Sequence, residues 1–410
     1  MKVLVVTQYF WPESFRINDV VKSLVDRGVV VDVLTGKPNY PEGEFFKGYR
    51  AWGCKSEQWV GATVYRLPML ARGRRSATRL ILNYLSFVAS GLVLGPWMLR
   101  QQRYDVVFVY GVSPILQAIP ALFLASIKRL KVIIWVQDLW PESLEATGYV
   151  RNHWVLNQVE KVVRFIYRRA DLLLVQSRAF EARVSALAPG KPVIYYPNSV
   201  ESAFGNPPAV LLPVVKALDE GFSVLFAGNV GVGQAVEVIV DAAAILQGYS
   251  EIRFVVFGQG SRWDWMREQV QQRGLTNLHL LGRFPVETMP GLMQKASALL
   301  VCLADQPIFA ATVPNKIQAY MAAGRPILAC LNGEGARLVA EAGAGLTVPA
   351  EDASRLAAAI LQLFEMPVAE REALGANGRG YFKRHFDQSQ LTDQLMEHFQ
   401  SVSGVERDGQ

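Results

Sequence analysis

The stretch FSVLFAGNVGVGQAVEVIV, residues 222–240, decides the fold class of this chain. It begins with a largely apolar run, passes through a turn that holds three glycines, and continues as a helix. A strand that is apolar on both faces is typical of a parallel sheet with helices on either side. The stretch therefore predicts one βα unit of an α/β domain.

The same order of apolar run, turn and helix recurs along the chain. In the first half we predict strands at 2–7, 29–35, 105–111, 131–137 and 171–176, and helices at about 17–27, 77–100, 114–129, 153–169 and 177–187. In the second half we predict strands at 222–228, 252–258, 278–282, 298–303 and 326–331, with two or three helices after 352. The pattern indicates two doubly wound, Rossmann-like sheets, with a cleft between the carboxyl ends of their strands, where such sheets bind ligands.

The chain of 410 residues is too long for one compact core, and its composition indicates where it divides. The stretch 195–221 is rich in proline and has no clear periodicity. We therefore expect an N-terminal domain at 1–200 and a C-terminal domain at 201–385. A helix and a frayed tail are expected at 386–410.

Charge and cysteine usage exclude several classes of protein. A net charge of +6 suits an anionic ligand or membrane surface, but without a block of basic and aromatic residues it does not indicate nucleic-acid binding. The chain has no CxxC, HxxxH, HxH or DxD, so we expect no metal site.

Two of the three cysteines lie in apolar runs, which predicts buried free thiols in a reducing compartment. The short apolar run at the N-terminus indicates a strand and not a signal peptide, so we expect a cytoplasmic protein.

One segment interrupts the α/β pattern. Residues 80–99, LILNYLSFVASGLVLGPWML, carry no charge and are long enough to span a bilayer. Spanning would place strands of one sheet on opposite sides of a membrane, so we reject it. The segment either packs on the sheet or lies partly in a membrane interface. The basic residues around it, including Arg72, Arg74, Arg75 and Arg79, favour an anionic membrane surface contacted through 72–100.

Two glycine-rich turns in the second half are candidates for binding a phosphate. Gly228 and Gly231 let the backbone approach a ligand, and we expect a helix to begin near Gln234 with its N–H groups toward an anion. FGQGS, with Gly258 and Gly260, repeats the arrangement one unit later. A purely structural turn is the alternative for both. The cations near strand ends in this half are Arg262, Arg283, Lys316 and Arg325.

Two loops in the first half carry carboxylates after a strand. DLWPES (138–143) presents Asp138 and Glu142, and a carboxylate there either accepts a proton from an acceptor hydroxyl or caps a helix. QYFWPESFRIND (8–19) presents Glu13, Arg16 and Asn18 at the same sheet edge. The aromatic residues around both loops serve either as core or as a platform for a sugar or lipid.

VPNKIQAYMAAGRPIL, residues 313–328, predicts a helix that ends at Gly324 and leads into a buried strand. Its first turn is polar, with Pro314 followed by Asn315, Lys316 and Gln318. These polar residues are either part of a ligand site or the solvated end of an ordinary helix.

Taken together, these stretches resemble the retaining glycosyltransferases of family four, which have the GT-B fold. The resemblance rests on YFWPE, KPNYPEG (37–43) and DLWPES, and on GNVGVGQ, VVFGQG, LLGRFP and VPNKIQAYMAAGRPIL. It is strongest to bacterial O-antigen and capsule enzymes that move an N-acetylated sugar, often a 6-deoxyhexosamine such as L-fucosamine, onto a polyprenyl-linked acceptor. It implies two domains facing across a cleft, a last helix that crosses back to the first domain, and a nucleotide-sugar donor, UDP-linked, with no metal or other cofactor.

The resemblance also implies roles for residues, with departures from the family pattern. Asn229 and Gln234 stand where many members have Arg and Lys, and the two glutamates of a Glu–seven–Glu motif fall on Ala310 and Gln318. Lys316 would then supply the missing cation and Gln318 would bind a ribose hydroxyl. Asp138 takes the place of an acceptor-side His.

The resulting candidate sets are catalytic, donor-binding and acceptor-binding. The catalytic candidates are Asp138, Glu142 and Lys316. The donor-binding candidates are Gly228, Asn229, Gly231, Gln234, Gly258, Gly260, Arg283, Phe284, Pro314, Asn315, Lys316 and Gln318. The acceptor candidates are Glu13, Arg16 and Asn18.

Two alternatives remain at this level. A nucleotide-sugar 2-epimerase shares the fold, but it needs acid and base side chains around the sugar that the sequence does not supply as a His–Glu set. A non-catalytic partner subunit of a transferase would explain the missing motif glutamates. The retained glycine-rich turn and PNKIQ argue against that alternative, because ligand binding is what they serve.

Overall fold

The computed structural model describes residues 1–73, 76–146, 152–200, 204 and 210–404. Arg74 and Arg75 of the basic cluster, residues 201–203 and 205–209 of the predicted boundary region, and the tail after 404 lie outside the described residues. The chain forms two compact units, one of Met1–Pro197 with Gln388–Gln410 and the other of Asn198–Asp387.

The N-terminal unit is built on a sheet that has eight strands among the described residues, in the order β3-β4-β2-β1-β5-β6-β7-β8. The strands are β1 (Lys2–Val6), β2 (Val30–Thr35), β3 (Lys55–Trp59), β4 (Ala62–Arg66), β5 (Val106–Gly111), β6 (Lys131–Val136), β7 (Leu172–Val175) and β8 (Val193–Tyr195). Neighbours pair in parallel except β3 and β4. The five predicted strands are confirmed, and β3, β4 and β8 were missed. They lie toward the sheet edges, and β3 and β8 have half-exposed sequences that lack a continuous apolar run.

Helices of this unit follow the strands as expected for a doubly wound sheet. They are α1 (Arg16–Asp26), α2 (Ala77–Met98), α3 (Ala118–Lys128), α4 (Glu142–Ala146), α5 (His153–Arg169) and α6 (Ala179–Leu187). One stripe of α2, at a spacing of four residues, is buried and comprises Asn83, Phe87, Gly91 and Gly95. A Cβ at Gly91 would lie 2.6 Å from Cβ of Pro120, so this glycine lets α2 pack closely on α3.

The C-terminal unit holds a sheet that has six strands among the described residues, all parallel, in the order β11-β10-β9-β12-β13-β14. They are β9 (Phe222–Ala227), β10 (Ile252–Phe257), β11 (Leu278–Gly282), β12 (Ala298–Cys302), β13 (Ile327–Cys330) and β14 (Gly345–Val348). The edge strand β14 was missed because it has four residues and is half-exposed. Cys302 of β12 and Cys330 of β13 lie at paired positions of the sheet, and both are buried free thiols.

The helices of the C-terminal unit are α7 (Lys216–Asp219), α8 (Glu237–Ile245), α9 (Trp263–Gln272), α10 (Met289–Lys295), α11 (Pro307–Ala311), α12 (Asn315–Ala323), α13 (Glu334–Glu341), α14 (Ala353–Glu365) and α15 (Val368–His385). α12 ends at Gly324, whose φ of 70° is the left-handed conformation that favours glycine. This end confirms the prediction from VPNKIQAYMAAGRPIL.

The last helix, α16 (Gln388–Ser403), belongs to the N-terminal unit. Its Leu391, Leu395 and Phe399 are buried in the core of that unit, and Nε of Arg27 on α1 lies 2.6 Å from Oδ1 of Asp393. The Tyr196 hydroxyl donates to the Leu391 carbonyl at 2.8 Å. The expected return of the last helix to the first domain is therefore confirmed.

Candidate functional site

The two glycine-rich turns of the C-terminal unit pack against each other at the carboxyl ends of β9 and β10. Gly228 and Gly258 have φ of 137° and 135°, and a Cβ at Gly258 would lie 1.7 Å from the Gly228 carbonyl oxygen. The Val230 N–H donates to the Gln259 carbonyl at 3.1 Å. Glycine is therefore required at these two positions because the turns touch each other. This is the structural interpretation that the sequence left open beside phosphate binding.

A cavity of about 350 Å³ lies beside these turns and is called the donor pocket below. It brings together five of the predicted donor residues, Gly228, Asn229, Gly258, Arg283 and Phe284. The ring of Phe284 lies 4.4 Å from that of Phe257, between centroids, and forms an aromatic wall. Arg283 has no carboxylate partner among the described residues. The pocket therefore offers an aromatic face and an unpaired cation to a ligand.

Lys316 joins the glycine turn from the first turn of α12. Its Nζ donates to Oε1 of Gln234 at 2.6 Å and lies 3.7 Å from the ring centroid of Phe226. A Cβ on Gly228 would lie 2.6 Å from Cε of Lys316, so the missing side chain makes room for the lysine. Burial lowers the pKa of Lys316 to about 8. Lys316 forms no ion pair within the described part of the chain, so its charge is available to an anion.

The other polar residues of this segment are placed differently. Asn315 accepts a hydrogen bond from Nδ2 of Asn198 at 3.1 Å, and Pro314 is the N-cap residue of α12. Gln318 is fully buried, and its amide nitrogen and oxygen have no hydrogen-bond partner among the described residues. Two residues along a helix turn through about 200°, so Gln318 and Lys316 lie on different faces of α12. The structure does not bring them together.

The region after the glycine turn corrects one expectation. A 3₁₀ turn covers Val232–Gln234, and α8 begins at Glu237 instead of near Gln234. Arg262 is neutralised there by an ion pair with Glu237. Arg325 precedes β13, at the opposite edge of the sheet, and donates to the Gln294 carbonyl. Of the four cations noted in the sequence, Arg283 and Lys316 are therefore the two placed at the glycine turns and free of a carboxylate.

The N-terminal unit has a cavity of about 300 Å³ at the carboxyl ends of β1, β5 and β6, called the aromatic pocket below. Its lining is mostly aromatic and apolar and comprises Tyr9, Phe15, Tyr40, Arg72, Leu80, Tyr84, Val112, Ser113, Asp138, Trp140, Ser143 and Leu144. The rings of Tyr9, Phe15 and Tyr40 pack on one another, with centroids 5.1 to 5.6 Å apart. Tyr9 and Trp140 therefore belong to a pocket wall, whereas Phe10 and Trp135 are core.

Asp138 is held in this pocket by a short chain of hydrogen bonds. Its Oδ2 accepts from the backbone N–H and the hydroxyl of Ser113 at 2.8 and 2.9 Å. The Ser113 hydroxyl in turn accepts from Nε1 of Trp140 at 2.9 Å. Burial raises the pKa of Asp138, and the bonds from Ser113 oppose that rise. Among the described residues Asp138 thus accepts hydrogen bonds from the loop after β5 and not from a helix of its own segment.

The remaining N-terminal candidates have internal partners. Glu13 is buried and accepts hydrogen bonds from the backbone N–H groups of Asn39 and Tyr40, both at 2.7 Å. Burial raises its pKa to about 7, against these backbone donors. Asn18 accepts from the Trp11 N–H at 3.0 Å and donates to the Glu13 carbonyl at 2.7 Å. These side chains brace the loops that carry the pocket.

Arg16 and Glu142 are also occupied by partners within the unit. Arg16 forms an ion pair with Asp19 at 3.4 Å. Glu142 lies 2.5 Å from Nε of Arg183 and is not among the residues that line the aromatic pocket with Asp138.

Sequence reasoning missed several residues of the aromatic pocket. Tyr40 lies in the quoted KPNYPEG loop, Ser113 follows β5, and Tyr84 lies in the segment considered for its hydropathy alone. The position of Ser113 directly after a strand was a usable signal, since loops at that edge carry ligand residues. No pattern in the sequence brings Tyr84 and Arg72 to the same pocket.

The outer face of α2 is apolar and exposed. Ile81, Val93 and Trp97 expose 53%, 72% and 58% of their surface, and Phe123 and Ile127 of the adjoining α3 are exposed as well. In the described part of the chain α2 is the one helix long and apolar enough to cross a membrane by length and composition. It follows β4 and precedes β5 of the same sheet, so it is a surface helix of this unit. We call the exposed side chains of α2 and α3 the apolar face.

No cluster of three or more His, Cys, Asp and Glu side chains that could hold a metal ion is found among the described residues.

Two family models match the chain. Residues 14–199 match a glycosyl transferase 4-like domain, and residues 221–366 match the glycosyl transferases of group 1. The first matched range falls in the N-terminal unit except for its last two residues, and the second falls in the C-terminal unit.

Two curated relatives have similar sequences. WcaI of Escherichia coli K12, whose name assigns it provisionally to colanic acid biosynthesis as a glycosyl transferase, is 26% identical over 342 residues, 79% of this chain and 82% of WcaI. WbjE of Pseudomonas aeruginosa, named as a probable glycosyltransferase, is 26% identical over 296 residues, 70% of this chain and 72% of WbjE.

Solved structures match over almost the whole length. Sucrose-phosphate synthase of Thermosynechococcus elongatus has a TM-score of 0.75 at 18% identity, covering 99% of this chain and 100% of that one. HepE of Anabaena, solved with UDP and glucose, has a TM-score of 0.68 at 14% identity, covering 98% and 100%. These likenesses confirm the GT-B fold. The chain is therefore a glycosyltransferase that carries a glycosyl transferase 4-like domain at 14–199 and a domain of the group 1 glycosyl transferases at 221–366.

Proposed function

We propose that this glycosyltransferase moves an N-acetylated hexosamine or 6-deoxyhexosamine from a UDP-linked donor to a polyprenyl-linked saccharide, with retention at the anomeric carbon. The pathway would be the synthesis of a surface polysaccharide such as O-antigen or capsule. The name of WcaI refers to colanic acid biosynthesis, and HepE was solved with UDP and glucose, which supports a polysaccharide product and a uridine donor.

The observation that carries the proposal is the placement of Lys316. An ammonium without a carboxylate partner in the described chain lies against Gly228 and is hydrogen-bonded to Gln234, beside the donor pocket. Burying a cation without an opposite charge is costly, so an anionic ligand would stabilise this arrangement. A diphosphate on Lys316 would leave the base or sugar to contact Phe284 and Arg283.

The reaction itself is a substitution at the anomeric carbon. The acceptor hydroxyl oxygen bonds to that carbon, the bond from the carbon to the phosphate oxygen breaks, and the hydroxyl proton passes to the departing diphosphate. Negative charge grows on the leaving phosphate, so preorganised positive groups there lower the barrier. Lys316 supplies that charge without a metal ion, and Arg283 is a second candidate.

Lys316→Met tests the donor site, with Lys295→Met as the control, since Lys295 pairs with Asp219 on the surface of the same unit. We expect Lys316→Met to weaken UDP binding, measured by calorimetry, at least tenfold and to leave the melting temperature within a few degrees. Lys295→Met should bind UDP as the unaltered protein does. Unchanged UDP affinity in Lys316→Met would refute the assignment.

The two alternative functions are separated from this proposal by product analysis. Proton NMR of UDP-N-acetylhexosamine incubated with the protein alone would show the signals of a second epimer if the protein were a 2-epimerase. UDP binding without transfer to any polyprenyl-linked acceptor would indicate a non-catalytic partner subunit. We expect neither result, and release of UDP only when acceptor is added.

We further propose that the protein works on the inner face of the cytoplasmic membrane and contacts it through residues 72–100. The apolar face supports this location. Between Ala77 and Arg129 the chain has five cations, Arg79, Arg100, Arg103, Lys128 and Arg129, and one acidic residue, Asp105. An apolar surface with basic neighbours is attracted to anionic lipid.

Sedimentation with liposomes tests this location. We expect binding to phosphatidylglycerol-containing vesicles, a severalfold loss in Val93→Asp, and no loss in Val368→Asp, an exposed apolar residue of the C-terminal unit. Equal sedimentation of both variants would overturn the membrane assignment and leave the donor assignment untouched.

A further inference from the structure

Another cavity of the C-terminal unit, of about 440 Å³, lies away from the donor pocket, and we call it the basic pocket. Ser297 and Pro326 in its lining directly precede β12 and β13, so the basic pocket lies where these parallel strands begin. The donor pocket lies where β9 and β10 end. The two cavities are therefore at opposite edges of one sheet, and a molecule in the basic pocket is a ligand separate from the donor.

Positive charge dominates the lining of the basic pocket. Among the described residues it has four cations, Arg325, Arg371, Arg379 and Lys383, and one carboxylate, Glu372. None of the four cations forms an ion pair within the described chain, so the lining has a formal excess of three positive charges. Like charges gathered at one cavity repel one another, and a bound anion relieves that repulsion.

The three arginines are held in place by neutral backbone groups. Arg379 donates to two carbonyls at the end of α12, from Nε at 3.3 Å and from Nη2 at 2.8 Å. Nη1 of Arg371 donates to two carbonyls in the last turn of α14, at 3.0 and 3.1 Å. Nε of Arg325 donates to the Gln294 carbonyl at 2.5 Å. These hydrogen bonds orient the guanidinium groups and do not neutralise them.

Contacts with helix ends account for only part of this arrangement. Both Nη atoms of Arg325, Nη1 of Arg379 and Nζ of Lys383 have no hydrogen-bond partner within the described chain. A guanidinium group carries five N–H donors and an ammonium group carries three. The pocket therefore keeps several charged donors for a ligand after the helix ends have been satisfied.

The lining favours charge over an aromatic base. No aromatic side chain lines the basic pocket in the described part of the chain, whereas Phe284 forms a wall of the donor pocket. A phosphomonoester carries about −1.5 to −2 charge at pH 7, so two phosphate groups match the excess of three positive charges better than one does. Guanidinium groups bind phosphate oxygens in a bidentate manner, and Lys383 adds a point charge.

We propose that the basic pocket binds a small compound with two phosphate groups, a diphosphate or a sugar bisphosphate, at Arg325, Arg379 and Lys383. This binding site goes beyond the proposed function, because it lies at the other edge of the sheet and does not depend on which sugar is transferred. Glu372 opposes the anion and limits its affinity, as the one carboxylate in the described lining.

Calorimetry on the full chain with inorganic diphosphate and inorganic phosphate tests the pocket. We expect diphosphate to bind at least tenfold more tightly than phosphate. Lys383→Glu should weaken diphosphate binding at least tenfold, because it reverses a charge in the lining. Arg384→Glu is the matched control, since Arg384 is the next residue of α15, is exposed and is not among the lining residues. It should bind diphosphate within threefold of the unaltered protein.

A second variant is expected to gain affinity. Glu372→Gln removes the carboxylate of the lining and should tighten diphosphate binding severalfold. Glu370→Gln, an exposed position in the first turn of the same helix and not among the lining residues, should leave the affinity unchanged. Misfolding does not tighten binding, so this pair tests the proposal even if Lys383→Glu does not fold. Equal affinity of Glu372→Gln and Glu370→Gln would contradict the proposal.

Lys316→Met separates the basic pocket from the donor site, where Lys316 also offers a cation to a diphosphate. We expect Lys316→Met to keep the diphosphate binding that Lys383→Glu weakens. Binding that is lost in Lys316→Met and kept in Lys383→Glu would place the anion at the donor site and overturn the proposal. If diphosphate binding depends on Lys383 and UDP does not bind, the donor assignment alone fails.

Vesicles distinguish a free compound from a lipid-linked one. Sedimentation of Lys383→Glu and Arg384→Glu is compared on anionic vesicles with and without a polyprenyl diphosphate. Equal sedimentation of the two variants on both kinds of vesicle identifies a free compound, which is the result we expect. Weaker sedimentation of Lys383→Glu only on vesicles with the diphosphate lipid identifies a lipid-linked one. Either result supports the pocket when the calorimetric preference is present.

Two further results would overturn the proposal. One is the absence of a tenfold preference for diphosphate over phosphate. The other is equal weakening of diphosphate binding in Lys383→Glu and Arg384→Glu, which would indicate a general attraction of anions to the basic end of α15 and not a site.

Discussion

In the C-terminal unit, the hydrogen bond of the Lys316 ammonium within the described chain goes to the neutral amide of Gln234. In the N-terminal unit, the carboxylate of Glu13 accepts from the backbone N–H groups of Phe10, Asn39 and Tyr40. Glu13 lies in the loop after β1 and Lys316 in the first turn of α12, and both stand out in the sequence. The Lys316 ammonium has no acidic partner among the described residues and is available to an anionic ligand. The Glu13 carboxylate accepts hydrogen bonds from the loops that it stabilises. Prominence in the sequence therefore does not separate these two residues, whereas their hydrogen-bond partners within the described chain do.

The largest effect is expected where the two glycine turns touch. Gly258→Ala places a Cβ 1.7 Å from the Gly228 carbonyl oxygen and forces a residue with a side chain to a φ of 135°. Backbone must move, and we expect a loss of about 3 kcal/mol in the free energy of unfolding, hence a melting temperature lower by about 10 °C. Gly248→Ala, with nothing within 4 Å of its Cβ, is the control and should melt normally. Normal melting of Gly258→Ala would mean that the turns are not in contact.

The second effect concerns the hydrogen bonds that Glu13 accepts from the loop at Asn39 and Tyr40. Glu13→Ala leaves buried backbone N–H groups at Asn39 and Tyr40 without an acceptor, and each such group costs about 1–3 kcal/mol. We expect thermal unfolding of the N-terminal unit to occur at a lower temperature by roughly 8 °C. UDP affinity should stay within twofold. A stable Glu13→Ala protein that fails in transfer would instead make Glu13 a ligand residue and remove the contrast with Lys316.

The third effect is the pH dependence of donor binding. The pKa of Lys316 is lowered to about 8, and a phosphate binds the protonated form. UDP affinity should therefore be highest near pH 7 and should decline as the pH rises through about 8, by up to tenfold per pH unit well above it. Calorimetry between pH 7.5 and 9.5 measures this, with Lys316→Met as a flat reference. A decline that persists in Lys316→Met would assign the titration to another group.

The smallest effect is expected at Glu142. Its ion pair with Arg183 is one-third exposed on both sides, and such pairs contribute about 0.5 kcal/mol. Glu142→Gln should change the melting temperature by about 2 °C or less and leave the transfer rate unchanged. A transfer rate reduced tenfold or more would instead support Glu142 as a catalytic residue.

The strands that the sequence predicts are those buried on both faces, because they are the ones with continuous apolar runs. KVLVVT and FSVLFAG belong to this class, whereas KSEQW in β3 and GLTV in β14 lie at sheet edges with solvent on one side. The start of α8 was placed too early, since the 3₁₀ turn at 232–234 leaves no signature beyond its glycines.

Site residues were predictable where the chain segment itself forms the site. The residues of GNVGVGQ and Lys316 of PNKIQ lie at one turn, as expected from their positions after β9 and at the start of α12. The aromatic pocket was not predictable as a unit, because Tyr40, Arg72 and Asp138 come from three distant segments joined by the order of the sheet. Internal hydrogen bonds, which occupy Glu13 and Asn18, have no local pattern in a sequence.

The return of α16 to the first unit has a consequence for how the protein is made. Leu391, Leu395 and Phe399 complete a core whose strands are synthesised more than 190 residues earlier. During translation the apolar surface that these three side chains cover stays exposed on the N-terminal unit until the whole C-terminal unit has been synthesised. The helix α16 therefore completes the N-terminal unit, and a nascent chain that stops short of it carries an exposed apolar surface that chaperones or proteases can recognise.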